Sequence, residues 1–488
     1  MKTSQASMQL IFGIVASAVI LSACGKDDAT VAVDNATTNS APAELQPHQQ
    51  MAREILKELV ETDTTFTGNT TIAAQRLAAR AIAAGFPEDD VHVVGAAENK
   101  GNLVVRLRGR EGGHEPLLLL AHLDVVDASP EDWTLDPFTF VEQDGYYYGR
   151  GTADDKNEAA IHFANLLRLK AEGFQPDRDI IMALTADEES LDISANGVRW
   201  LLANRPDLID AEFAINEGAG GAMHDGERIS NNVQASEKVY QSFTLLVTNP
   251  GGHSSLPRKD NAIYRLADAL VRIRAHEFPV ALNEVTQAYF ERSADLEDGE
   301  LAAAMRGVLT TPPAPSAVAY LSQTPYYNAR LRTTCVATML AGGHADNALP
   351  QSAEATINCR MLPTDDPVAV KQTLVTVIGD PEVSVKVSSP AVSSPPSPLS
   401  DETLGKIEAV TQQMWPGVPV IPIMSTGATD GLYLRNAGIP VYGVSGIFDD
   451  INENRAHGQD ERVPVRSFYE GQEFLYRLTK RLASSDLE

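Results

Sequence analysis

Three runs constrain the fold more than anything else in this chain: PLLLLAHLDVV from Pro116, DIIMALTADEES from Asp179 and EFAINEG from Glu212. Each is a short, unbroken apolar segment that ends on acids or a histidine. A strand apolar on both sides belongs in a parallel sheet covered on both faces, whereas a half-exposed strand would alternate. The helical stretches NEAAIHFANLLRLKAEG and GVRWLLANRP fall between these runs. Strand and helix in alternation predict an α/β fold with a mostly parallel sheet and helices on both faces. MAREILKELVE and IAAQRLAARAIAAG, the second closing at Gly85, add two helices before the strand NLVVRLRG. ETLGKIEAVTQQM, VIPIMS, IPVYGVSG and the terminal helix RSFYEGQEFLYRLTKRLA resume the alternation near the end.

The texture changes near Glu237. KVYQSFTLLVTN reads as a strand, AIYRLADALVRIRAH as a helix, and RTTCVATML and SAEATINCR as two further strands. The expected organisation is an α/β domain in two parts, 48–237 and 363–488, interrupted by a smaller α+β domain with an antiparallel sheet over 238–362. A proline-containing, partly helical insertion occupies about 275–330 of the smaller domain. Antiparallel pairing of the last two strands could set Cys335 opposite Cys359; two buried free thiols is the preferred reading.

Residues 1–23 read as an export signal, with Lys2 ahead of an apolar stretch too short to span a membrane comfortably. LSAC ends this stretch, so Cys24 is the expected lipidation site of a lipoprotein. The expected address is the bacterial cell envelope, periplasm or outer membrane, with membrane contact only through a lipid anchor at Cys24. Residues 24–47 are rich in small and polar side chains and read as a flexible tether. A net charge of −27, from 66 acidic against 39 basic residues, repels phosphate backbones and argues against a nucleic-acid partner.

Ligand sites in open parallel sheets lie beyond the carboxyl ends of the strands. On that edge the sequence gathers His122 and Asp124, then Asp154 and Asp155 in DGYYYGRGTADDK, then Asp187, Glu188 and Glu189, then Glu217. Singly, each could be a helix cap or a solvated turn. Together they would repel strongly without a compensating cation, which predicts a metal site. NRAHGQDERV adds His457, giving donors enough for two ions. Carboxylates and histidines without cysteine suit zinc, and cobalt or manganese would accept the same set.

These motifs carry a resemblance. LLLLAHLDVV, DGYYYGRGTADDK, TADEES, NEG, GGHSS, NALP and HGQDERV occur in the order found in the dinuclear zinc exopeptidase and deacylase family. That family includes glutamate carboxypeptidase, aminoacylase, carnosinase, succinyl-diaminopimelate desuccinylase and the yeast Gly-X carboxypeptidase, and the texture is most similar to the last. The resemblance makes the larger domain catalytic and the smaller one a lid or dimerisation domain. It implies that Asp154 bridges two zinc ions, with His122 and Glu217 on one and Glu189 and His457 on the other. Asp124 would orient His122. Glu188 would be the general base, taking a proton from water activated between the cations.

The resemblance also assigns residues to the substrate. His253 in NPGGHSSLPRK would stabilise an oxyanion, Asn347 and Arg360 would contact the substrate, and Gly427, Ala428 and Thr429 in STGATDG would line the pocket. Arg360 offers a planar fork for a terminal carboxylate. In relatives the lid histidine often comes from a second subunit, so a homodimer through the lid is possible. The implied activity is hydrolysis of an amide bond next to a free carboxylate, as in a carboxypeptidase or dipeptidase. The alternatives are an N-acyl-amino-acid hydrolase and a tethered binding lipoprotein without activity. The expected partner is a peptide or N-acyl amino acid.

Overall fold

A computed structural model describes residues 44–190 and 192–484. Cys24 and nearly all of the expected tether lie outside the described residues. No helix among the described residues is long and apolar enough to cross a membrane.

The main sheet has ten strands, and its centre is parallel. Arg178–Thr185, His114–His122, Phe213–Asn216 and Val441–Gly443 lie side by side in that order, all running the same way. The continuous leucine run serves both faces. Leu117, Leu119 and Ala121 join one core with residues of helices Pro47–Val60, Lys156–Ala171 and Val465–Leu482, while Leu118 and Leu120 join a second core with Val198 and Leu201 of helix Gly197–Asn204. Apolar residues of both parities are therefore buried, as a sheet sandwiched between helices requires. Register pairs His122 with Thr185, so the segments after both strands leave the sheet at one edge. Gly443 has no room for a side chain, because a Cβ there would stand 2.3 Å from the Glu217 carbonyl oxygen.

The smaller domain carries an antiparallel sheet in the order Thr334–Gly342, Ser352–Met361, Val239–Thr248, Val383–Val387. Helices Ala262–Ala275 and Pro367–Ile378 share its core, which includes Leu266, Phe243, Ile357, Leu374 and Val383. The unit thus continues through Val387, past the boundary expected at residue 362, because the strand Val383–Val387 completes the sheet on the far side of Val239–Thr248.

One other expectation is overturned, and the helical insertion gains detail. Cys335 and Cys359 face each other in register and form a disulfide, with Cα atoms 4.1 Å apart, so the free-thiol reading does not hold. Direct cross-strand placement brings the two sulfurs within bonding reach. The insertion forms four helices, Glu284–Ser293, Gly299–Val308, Pro315–Leu321 and Pro325–Leu331. Their apolar faces close over Ile421 and Ile423 of the strand Val420–Ser425, which pairs in the main sheet. Arg292 adds hydrogen bonds to the Val420 carbonyl at 2.8 Å and to Glu408 at 2.6 Å.

Candidate metal centre

The strand ends deliver their acids to one place. His122 closes its strand, the turn after Thr185 carries Asp187, Glu188 and Glu189, and Glu217 follows Asn216 directly. Asp154 arrives from the loop that precedes helix Lys156–Ala171, and His457 from a turn near the end of the chain. Asp187 and His457 both hold left-handed backbone, at φ 58° and 62°. Non-glycine residues seldom adopt it, and such outliers concentrate at functional sites. The Asp154–Asp155 peptide is cis.

Asp154 stands between two histidines. Its Oδ1 lies 3.1 Å from His122 Nε2, and its Oδ2 lies 3.1 Å from His457 Nε2. Glu217 Oε2 is 4.0 Å from His122 Nε2, and Glu189 Oε1 is 2.7 Å from His457 Nε2. Two donor trios result, His122 with Asp154 and Glu217, and Asp154 with Glu189 and His457, each with its ligand atoms within 4.8 Å of one another. A third grouping puts Glu188 with His122 and Glu189. Tetrahedral zinc with bonds of about 2.0–2.2 Å to nitrogen and oxygen places its ligands roughly 3.3 Å apart. The donor types and their spacing fit a pair of divalent cations that share Asp154.

The electrostatics point the same way. Burial works against the Asp154 carboxylate, yet its hydrogen bonds to His122 and His457 hold it below the ordinary carboxylate range. Asp154 and then Glu189 push His457 up to about 10. Burial, followed by the charge of Glu217, drives the Glu188 carboxyl well above its usual range, and burial also raises Glu217. The cluster calls for positive charge, which is why the carboxylates raise both histidines. A divalent cation meets the same demand and leaves the histidines neutral, as ligands must be.

A second layer holds the ligands. His122 Nδ1 hydrogen-bonds the main-chain oxygen of Asp124 at 2.9 Å, while the Asp124 carboxylate is 3.8 Å from that nitrogen. Asp124 thus reaches the ring through its carbonyl rather than its carboxylate. Its carboxylate instead accepts the main-chain N–H groups of Glu188 and Glu189 at 3.1 and 3.0 Å, and so fixes the turn that presents both. Asp155 Oδ2 accepts the His122 N–H at 3.2 Å. Buried Glu461 accepts N–H bonds from Gly151, Ala153 and Asp154 on a single oxygen at 3.0, 2.8 and 3.1 Å, and pairs with Arg150 at 2.6 Å through the other.

The remaining predicted residues form two further groups. Arg360 Nη1 donates to the Thr426 carbonyl at 3.3 Å and its guanidinium lies over the Tyr240 ring, so it joins the smaller domain to the 425–429 loop. In that loop Gly427 donates to Ser425 Oγ, and Thr429 gives its N–H and hydroxyl to buried Glu237, where Arg435 also binds. His253 and Asn347 sit exposed on a separate two-stranded element, Gly252–His253 with Ala348–Leu349. Ser255 Oγ lies 2.8 Å from His253 Nδ1, and the Asn347 carbonyl accepts the Ser254 N–H.

Sequence reasoning missed Glu461, Arg150 and the pair Lys100–Asp187, which closes at 2.5 Å with both side chains buried. No local signal pointed to Glu461, because Arg150 already has Asp154 and Asp155 close by in GRGTADDK.

Residues 118–481 match the family model Peptidase family M20/M25/M40, and the chain belongs to that family. It is accordingly a hydrolase of the metallopeptidase and amidohydrolase kind. Human N-fatty-acyl-amino acid synthase/hydrolase PM20D1 is 29% identical over 393 residues, covering 78% of this chain and 77% of the human protein. Probable carboxypeptidase S-like 2 of Dictyostelium discoideum is 29% identical over 393 residues, 78% of this chain and 74% of its own. Among solved structures, the M20 family metallo-carboxypeptidase Sso-CP2 from Sulfolobus solfataricus shares the fold with a TM-score of 0.66 at 18% identity, covering 88% of this chain and 99% of its own.

Proposed function

We propose that this protein is a two-zinc hydrolase of an amide bond next to a free carboxylate, acting as a carboxypeptidase or dipeptidase. The observation that carries the reading is Asp154, whose two oxygens face His122 and His457 separately at 3.1 Å. His122, Asp154 and Glu217 would hold one ion and Asp154, Glu189 and His457 the other; cobalt or manganese could take their place. When bound, the pair would bring the pKa of a water near neutrality and polarise the amide carbonyl. Glu188 takes the proton of the attacking water and gives it to the leaving nitrogen. Its turn is fixed by the Asp124 carboxylate, so the carboxyl group is aimed before substrate arrives. Arg360 receives the substrate carboxylate in its planar fork, beside the loop carrying Gly427, Ala428 and Thr429. His253, with Asn347 on the same small element, serves the oxyanion when the lid domain or a second copy presents it.

Hydrolysis of N-acyl amino acids is the second reading, favoured by the similarity to the human N-fatty-acyl-amino acid synthase/hydrolase. Homodimerisation is proposed through the edge strand Thr334–Gly342, which leaves Val336, Met339 and Leu340 largely exposed. Export and lipid anchoring at Cys24 complete the proposal.

Metal analysis together with assays on blocked dipeptides and N-acyl amino acids tests the reading. Two metal ions per chain and chelator-sensitive release are expected. Glu188→Gln should keep both ions and lower kcat by about a thousandfold. A Glu188→Gln protein with near-normal turnover would remove the general-base assignment, and metal without turnover on any substrate would remove the hydrolase reading.

A further inference from the structure

Phe66 is half exposed, at 52%, on the rim of the site. The segment that carries it is held from below. Lys100, itself buried, donates to the Phe66 carbonyl at 2.7 Å and lies 4.9 Å from the centre of its ring. The same ammonium group pairs with Asp187, next to Glu188. The loop is also tied to the ligand-bearing strand end. Thr64 donates its hydroxyl to the Leu123 carbonyl at 2.7 Å, and Val125 donates its N–H to the Thr64 carbonyl at 3.3 Å. The segment that presents the ring is thus held while the ring stays half exposed.

Phe66, Val125 and Val126 form the apolar part of a cavity of about 460 Å³ whose lining reaches Asp124 and Glu189. Asp127, Asp187 and Asp192 complete its acidic side, Lys100 sits behind it paired with Asp187, and among the described residues no cationic side chain lines it. A substrate end bearing a carboxylate would be repelled there. An uncharged, apolar end would gain by covering Phe66.

We propose that Phe66 is a specificity-determining residue, forming with Val125 and Val126 a subsite for an apolar acyl group on the carbonyl side of the scissile amide. The inference rests on the hydrolase reading above and deepens it by naming the end of the substrate each wall accepts. Arg360 takes the carboxylate end, and the Phe66 cavity takes the acyl end. Each methylene that reaches the ring should raise kcat/KM by about fourfold.

The test is a series of N-acyl amino acids with acetyl, butyryl, hexanoyl and octanoyl groups on one amino acid, assayed with the metal-loaded full chain. Wild type should rise along the series. Phe66→Ser should flatten the rise, with the loss falling on KM rather than on kcat. Phe66→Leu should restore most of the rise. An unchanged thermal midpoint in both variants would exclude a folding effect. Equal loss on every substrate, or a rise unaltered by Phe66→Ser, would overturn the proposal. Dissociation constants for the same series, measured by calorimetry, separate the two readings. A chain-length rise in affinity that Phe66→Ser removes, without turnover in wild type, would discard the hydrolase reading and keep the subsite. Turnover with no chain-length rise in either protein would discard the subsite alone.

Discussion

His162 lies in the middle of helix Lys156–Ala171 and is 1% exposed, with neither ring nitrogen hydrogen-bonded. Burial alone lowers its pKa from the ordinary 6.5 to about 4. The folded state therefore refuses a proton that the unfolded chain accepts. Above pH 6.5 both states are neutral and the residue contributes no pH dependence. Below it the unfolded state gains the proton, and stability falls by about 1.4 kcal/mol per pH unit. The fall ends near pH 4, where folded His162 also protonates. The whole window is worth about 3 kcal/mol. Leucine has nearly the same volume and no charge to gain, so His162→Leu should remove this acid limb. At pH 7 the variant should be more stable by roughly 1–3 kcal/mol, because two unpaired buried nitrogens are gone. Urea unfolding of wild type and variant at pH 7 and pH 4.5, both with chelator, yields a double difference in which shared carboxylate titrations cancel. The expected value is roughly 2.5 kcal/mol, larger for wild type. A double difference near zero, or an imidazole proton resonance of His162 titrating near pH 6.5, would refute the reasoning.

Two other perturbations address the supports of the site and of the lid. Glu461→Ala strips an acceptor shared by three N–H groups and leaves Arg150 buried without its partner, so a loss of about 3–5 kcal/mol in unfolding free energy is expected. The same change should weaken metal binding by about 10–100-fold in a competition with a chromogenic chelator, and full affinity would show that the Asp154 loop holds itself. The disulfide closes a loop across a sequence separation of 24, so Cys335→Ala/Cys359→Ala should lower stability by about 3 kcal/mol. Dithiothreitol should lower the midpoint of wild type and leave that of the double variant unmoved; equal responses would mean that the bond does not constrain the fold.

What could be read from the sequence followed from local pattern. The leucine run before His122 had to be buried on both faces, and its acids had to leave the sheet at the edge where Glu189 and Glu217 also emerge, so the cluster was legible before any coordinates. Asp124 was legible only in part. Its position two residues after His122 placed it beside the ring, but pattern does not say whether the carbonyl or the carboxylate turns inward. Glu461 was not legible, since its partner Arg150 is 311 residues away and neither residue breaks a local rule. The insertion was seen as helical, but its docking on Ile421 and Ile423 depends on which apolar faces remain uncovered once the main sheet has formed. The cysteines show the same limit: register determines whether they meet, and register is a property of the paired strands.

The turn holding His457 and Glu461 has one more consequence. It supplies both an imidazole of the cluster and the carboxylate that tightens the loop around Asp154, and it follows every other member of the cluster along the chain. A truncated product ending before it would keep most of the acidic groups yet lack the clasp that gathers them. Competence therefore waits until this turn docks, and a molecule made only as far as Glu217 has no assembled centre with which to cut anything.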